Sequence, residues 1–181
     1  MGSQVKTNLQ IEAAFLKVGS VALIPLLALP FSAAPMAISV ILFMCLWVLT
    51  IYDWVTFRLP NTITAAFFIS GLLYIYTYVP SQLVDHLIGA VAGLFFFPLL
   101  NALYKALRGR DGVGLGDAKL LAGIGVWLGW AALPLVLLIG SLAGLAYAFY
   151  LYLTKNDTIA MTKLPFGPFL SLGCWVSWLY L

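Results

Sequence analysis

Apolar residues in this chain fall in long blocks, with neither the alternation of a half-buried strand nor the single stripe of a surface helix. Runs at about 11–30, 35–53, 62–79 and 83–105 each qualify as membrane-crossing helices, which need about 20 mostly apolar residues and at least about 17. The run from Ala118 to Leu153 is too long for one crossing at ~1.5 Å per residue and is read as two short ones. Gly129-Trp130, followed by Pro134, supplies the turn between them. A last run extends from Pro165 to Leu181. The pattern predicts an all-α polytopic membrane protein of about seven transmembrane helices. No repeat, low-complexity tract or linker interrupts it, so 1–181 reads as a single integral-membrane domain. The apolar run after Lys17 has no small-residue cleavage site leading into a soluble region, so it is read as a span and not as a removable leader.

Composition agrees with that reading. Of 181 residues, 64% are hydrophobic and 8% charged, against about 25% charged in soluble domains. The net charge of +3 would suggest nucleic acid in a soluble chain, but its placement is more telling. If the spans alternate, Lys6, Lys17, Arg58, Lys105, Arg108, Arg110, Lys119, Lys155 and Lys163 all lie on or near one side, and the loops of the other side hold no Lys or Arg. By the positive-inside rule the basic side is cytoplasmic, giving an N-in, C-out topology and no nucleic-acid partner.

The acidic residues differ in depth. Glu12, Asp111 and Asp157 lie in or beside cytoplasmic segments and Asp85 near the outer surface, where a solvated charge explains each. Asp53 and Asp117 stand at the cytoplasmic boundary of spans, where an ionisable group is a candidate for function. On position alone, each could equally cap a helix or pair with Lys119 or Arg58. The setting of Asp117, within Gly112-Val113-Gly114-Leu115-Gly116-Asp117, favours chemistry: alternating glycines let backbone approach backbone, room enough for an extended peptide beside the carboxylate. A phosphate cradle would need a G-x-x-x-x-G-K-[ST] pattern, which is absent. His86 is the only histidine and no second soft ligand accompanies it, so no metal is expected. Cys45 and Cys174, far apart in apolar runs, read as packing residues. Trp47, Trp54, Trp127 and Trp130 fall near span ends and read as an interfacial belt.

Three elements together resemble the type IV prepilin (leader) peptidases, within the wider group of G-x-G-D membrane aspartic proteases. These are Asp53 followed by Arg58-Leu59-Pro60-Asn61, then Gly114-Leu115-Gly116-Asp117-Ala118-Lys119-Leu120, then Leu164-Pro165-Phe166-Gly167-Pro168-Phe169-Leu170. Each sits at the cytoplasmic edge of a predicted span. The segment Gly123 to Trp130 is also similar, and the likeness covers most of the chain after about residue 35. The resemblance implies an aspartic endopeptidase of the bacterial inner membrane with Asp53 and Asp117 as the catalytic pair. It implies that Gly114, Gly116, Lys119, Pro165, Phe166, Gly167 and Pro168 shape the site or bind substrate. Substrates would be prepilins or pseudopilins, whose basic leader ends in Gly before an apolar helix, cut at the cytoplasmic face. Larger members carry an N-terminal cysteine-tetrad domain and also methylate the new amine; this chain has no such tetrad, so the expectation is peptidase activity without methyl transfer and without a cofactor.

Two carboxylates held close together do not both ionise readily, so the pair is expected to share one proton near neutral pH. The ionised member would activate a water and the protonated one would donate to the scissile carbonyl. Two rival readings follow from the same residues. Tyr52-Asp53 with Gly-Leu-Gly-Asp also suits an intramembrane protease of the presenilin or signal-peptide-peptidase kind, although such enzymes cut within the substrate's span. A proton-coupled transporter would need acids deep in the bilayer, and only the two edge aspartates are available.

Overall fold

The computed structural model describes residues 35–109, 114–154 and 164–180. Six α-helices make up the described chain: α1 (Met36–Thr56), α2 (Asn61–Tyr78), α3 (Leu83–Arg108), α4 (Leu115–Leu128), α5 (Leu133–Leu153) and α6 (Gly167–Tyr180). The expected span at 11–30 lies outside the described residues, as do Glu12, Asp111 and Asp157. The run from Ala118 to Leu153 is divided where the glycine and proline suggested. The chain leaves α4 at Gly129, whose φ of 78° favours glycine, and makes a single 3-10 turn over Trp130–Ala132 before α5.

Among the described residues, three stretches are long and apolar enough to cross a membrane: Met36–Thr56, Pro80–Leu107 and Trp130–Leu153. Their outward faces are apolar: on α5, Leu135, Leu138, Leu142, Leu145 and Phe149 are all exposed, a stripe at helical spacing. Water would not tolerate so continuous an apolar surface, whereas a bilayer requires one. This is a membrane protein whose described secondary structure is all helical. The other helices are shorter: α2 has 18 residues, and α4 and α6 have 14 each, about 21 Å at 1.5 Å per residue.

The helices associate in two groups. In the first, α3 packs on α4 more extensively than any other pair, and α4 also holds α2. Gly89 and Gly93, one helical turn apart on α3, bring its backbone directly against α4 at Gly125 and Leu121. Small residues at this spacing are how helices reach contact distance in lipid, where apolar burial alone cannot draw them together. Hydrogen bonds also tie this group, among them Trp127 Nε1 to the Phe67 carbonyl at 3.0 Å, His86 Nδ1 with the Val126 carbonyl at 2.7 Å, and Trp130 Nε1 to Asp85 at 3.2 Å. His86 is therefore a buried strut between α3 and α4. Trp127 departs from the expected interfacial belt, being among the largest fully buried side chains, with its indole N–H satisfied inside the protein. Trp130, half exposed, and Trp54, 37% exposed, keep that boundary character.

In the second group α5 packs on α6, with Gly140 against the Phe169 backbone and Gly173 against Val136, and α6 packs on α1. Trp178 Nε1 donates to Ser39 Oγ at 2.9 Å, and the Phe43 and Trp175 rings meet edge to face. Ring contacts join the two groups: Phe97 with Phe166, and both Tyr74 and Trp127 with Trp178. Both cysteines are free thiols, Cys174 buried and Cys45 half-buried.

Candidate active site

Asp53 lies in the last turn of α1. It is only 5% exposed although it carries a carboxyl group. The helix stops just beyond it because Phe57 adopts a left-handed conformation, φ 53°, with its N–H closing on the Asp53 carbonyl. Thr56 Oγ1 secures this end by donating to the Tyr52 and Arg58 carbonyls. Arg58 is exposed, and the chain turns back through Leu59 and Pro60, whose extended backbone leads into α2. Leu59 is buried and lies against Gly116.

Asp117 belongs to the first turn of α4, behind a Gly114 cap of extended backbone, φ −78° and ψ 142°. An acidic side chain there meets the positive end of the helix dipole. It stands near enough to Asp53 for the charge on one carboxyl to act on the other. Sixty-four positions separate the two aspartates in sequence (117 less 53), yet one region of the fold holds both. Neither Gly114 nor Gly116 uses a positive φ. A Cβ at Gly114 would meet nothing closer than 4.0 Å, and one at Gly116 would only touch Leu59 at 3.7 Å. Among the described residues, no contact requires glycine at either position.

Lys119 does not use its ammonium on the neighbouring carboxylate. Its Nζ donates to Asn61 Oδ1 at 2.8 Å, which clasps the start of α2 to the start of α4 and holds the connection carrying Leu59 beneath the aspartates. The Pro-Phe-Gly-Pro segment forms the third side. Pro165 is buried, and Phe166 accepts from the amides of Phe169 and Leu170 through its carbonyl, opening α6. Its ring meets Phe97 edge to face. Pro168 occupies the first turn, where a missing amide costs no helical bond. Gly167, buried, donates its backbone N–H to Asp53 Oδ2 at 3.0 Å. Asp53 thus does cap a helix, but across the structure, at the start of α6.

The structure gathers Asp53, Asp117, Gly116, Lys119 and Gly167 around one end of the helices, with Asn61, Leu59 and Phe97 as supporting residues. Asn61 and Leu59 were visible in sequence as part of a motif, without a role for either. Phe97 gave no signal beyond being apolar. Among the described residues no group of three or more His, Cys, Asp or Glu could hold a metal ion. The groups gathered here are two carboxyls, and a backbone amide holds one oxygen of Asp53.

Comparison with known proteins agrees with this constellation. Residues 40–149, which include both aspartates, match the model of the type IV leader peptidase family. Proteins named prepilin leader peptidase/N-methyltransferase are similar over most of the chain. That of Aeromonas salmonicida (strain A449) is 41% identical over 139 residues, covering 74% of this chain and 47% of its own length. That of Pseudomonas putida is 33% identical over 179 residues, covering 98% and 62%, and that of Escherichia coli (strain K12) is 38% identical over 136, covering 74% and 58%. The chain spans about half to three-fifths of the length of these relatives. No solved structure gives a significant match. A match over more than half of the chain, containing both aspartates and supported by relatives at this identity, shows that this protein belongs to the type IV leader peptidase family.

Proposed function

We propose that the protein is an aspartic endopeptidase that removes the leader of prepilins or pseudopilins at the cytoplasmic face of the bacterial inner membrane, with Asp53 and Asp117 as its catalytic pair. The observation that carries this reading is a buried carboxyl at the end of α1 within electrostatic reach of a second in the first turn of α4, in a family named for leader cleavage. The proposed topology has seven spans with the N-terminus inside and the C-terminus outside. It places the ends of α1 and α2 that carry Asp53 and Asn61, the Lys119 end of α4, and the start of α6 together at the basic, cytoplasmic side.

In the proposed reaction, one aspartate removes a proton from water, whose oxygen adds to the carbonyl of the last leader residue. The other gives its proton to that carbonyl oxygen, forming a neutral gem-diol. Collapse breaks the C–N bond as the nitrogen takes a proton, releasing the leader acid and the new amine and leaving the pair with one proton again. A leader ending in Gly suits two closely set carboxyls, because no side chain has to pass between them. Gly116, Lys119 and the Pro165 to Pro168 segment shape the walls. The relatives' names also include methyl transfer; the residues gathered here account for the peptidase step.

The test is direct. The purified protein in detergent is mixed with a polypeptide bearing a basic leader ending in Gly before an apolar segment, and the new N-terminus is sequenced. Cleavage after that Gly is expected from wild type. Asp53→Asn and Asp117→Asn, which keep size and remove the acid, should each lower the rate by at least about a thousandfold. Processing at the wild-type rate by either variant would end the dyad assignment.

A further inference from the structure

Position 167 has no conformational need for glycine. The described glycines with positive φ are Gly109 and Gly129, and Gly167, as the first residue of α6, takes backbone angles open to any residue. The neighbour that excludes a side chain is Asp53. A Cβ built on Gly167 would lie 2.6 Å from Asp53 Oδ2 and 3.1 Å from its Cγ. The same oxygen accepts the Gly167 N–H at 3.0 Å. One residue therefore both makes room for the carboxylate and holds it.

We propose that Gly167 is a positioning residue of the aspartate pair, its N–H fixing Oδ2 of Asp53 so that Oδ1 is left to deal with water and with Asp117. This rests on the reading of Asp53 and Asp117 as the catalytic pair. Both partners of the bond are anchored. The Phe166 carbonyl, bonded by two amides, and the Phe166 ring against Phe97 set where α6 starts. Eleven residues further along α6 (178 less 167), about three turns, Trp178 bonds Ser39 of α1. Two bonds this far apart stop α1 from sliding against α6, and the carboxylate of Asp53 inherits that restraint. Because Oδ2 is an acceptor for the amide, the proton shared by the pair resides on Asp53 Oδ1 or on Asp117. A side chain at 167 would turn the Asp53 carboxylate away without unfolding a helix, since the atom it meets is the free end of a side chain.

Three changes separate this role from simple packing. Gly167→Ala adds the excluded methyl and keeps the N–H. Glycolic acid placed at 167 by cell-free translation replaces the amide with an ester, removing the N–H and adding no bulk. Asp53→Ala, alone and combined with Gly167→Ala, empties the space the methyl needs. On the leader polypeptide, Gly167→Ala should lower kcat about a hundredfold with KM within about twofold, as expected for a reacting group displaced by about 1 Å. The ester should lower kcat about ten- to a hundredfold, the scale of a hydrogen bond to a charged group. Gly167→Ala should lower Tm in the presence of Asp53 and not in the Asp53→Ala background, a coupling that a double-mutant cycle reads. Wild-type kcat in Gly167→Ala or in the ester, or the same loss of Tm with and without Asp53, overturns the proposal. Full activity of Asp53→Asn would overturn the dyad and this role with it, and the Tm cycle, which needs no activity, tells the two failures apart.

Discussion

The contact between α3 and α4 makes Gly125 a sharp test of how this membrane protein is held together. In Gly125→Ala the added methyl would be driven into the Gly89 carbonyl and would also crowd the Ala90 nitrogen. These are backbone atoms, so no side chain can swing aside, and the helices must part. Overpacking of this kind costs about 1–3 kcal/mol. The upper half of that range applies because the wall is main chain, and the helix-propensity gain of Ala over Gly returns up to about 1 kcal/mol. The net loss is about 1–2 kcal/mol, roughly a five- to thirtyfold change in the folded-to-unfolded ratio. Gly144 in α5 is the internal control, since its Cβ would meet Phe169 at an ordinary 3.5 Å. Gly144→Ala should be neutral or stabilising by up to about 1 kcal/mol. The assay is reversible unfolding by sodium dodecyl sulfate in mixed micelles, followed by tryptophan fluorescence. Gly125→Ala should also lower kcat, because α4 carries Asp117. A Gly125→Ala protein at least as stable as Gly144→Ala would refute the backbone-contact argument.

Other expectations concern the site's surroundings and the orientation. Lys119→Met removes the bond to Asn61, which is exposed, and should reduce kcat/KM by about three- to tenfold without abolishing cleavage; a complete loss would mean that Lys119 itself handles a proton. Trp127→Phe loses the indole bond to the Phe67 carbonyl and leaves a cavity, and should destabilise by about 2 kcal/mol in the same unfolding assay; an unchanged midpoint would contradict the burial. Reporter fusions after Lys155 and after Leu181 should report cytoplasmic and external locations respectively, and a cytoplasmic C-terminus would mean an even number of spans.

Element positions were legible in sequence where composition changes abruptly. The division at Gly129, the start of α6 near Pro165 and the turn after Asp53 all follow from residues with few conformational options. The pairing of Asp53 with Asp117 was legible only as a motif, because a separation of sixty-four positions carries no distance information. Trp127 was misread because hydropathy places a residue along a span and says nothing of the direction it faces; its neighbours Phe67 and Tyr74 come from another helix. The spacing Gly89-x-x-x-Gly93 was present in plain view, and its partner at Gly125 emerges only when the helices are seen side by side. The bond from Gly167 to Asp53 joins a main-chain group, which is the same in every residue, so no side-chain pattern could announce it.

The division into two helix groups bears on what it means for this molecule to be intact. Asp117 travels with α2, α3 and α4, whereas Asp53 travels with α1, α5 and α6. Between them the rings of Phe97, Phe166, Tyr74, Trp127 and Trp178 meet edge to face beside direct packing of α4 on α6, whereas the hydrogen bonds of Trp127 to Phe67 and of Trp178 to Ser39 lie inside the groups. A small slip along that boundary would leave each half correctly built and still uncouple the two acids. Under the proposed pairing, competence and foldedness are therefore separate properties: a preparation with full helical content can hold one aspartate on either side of a misaligned joint.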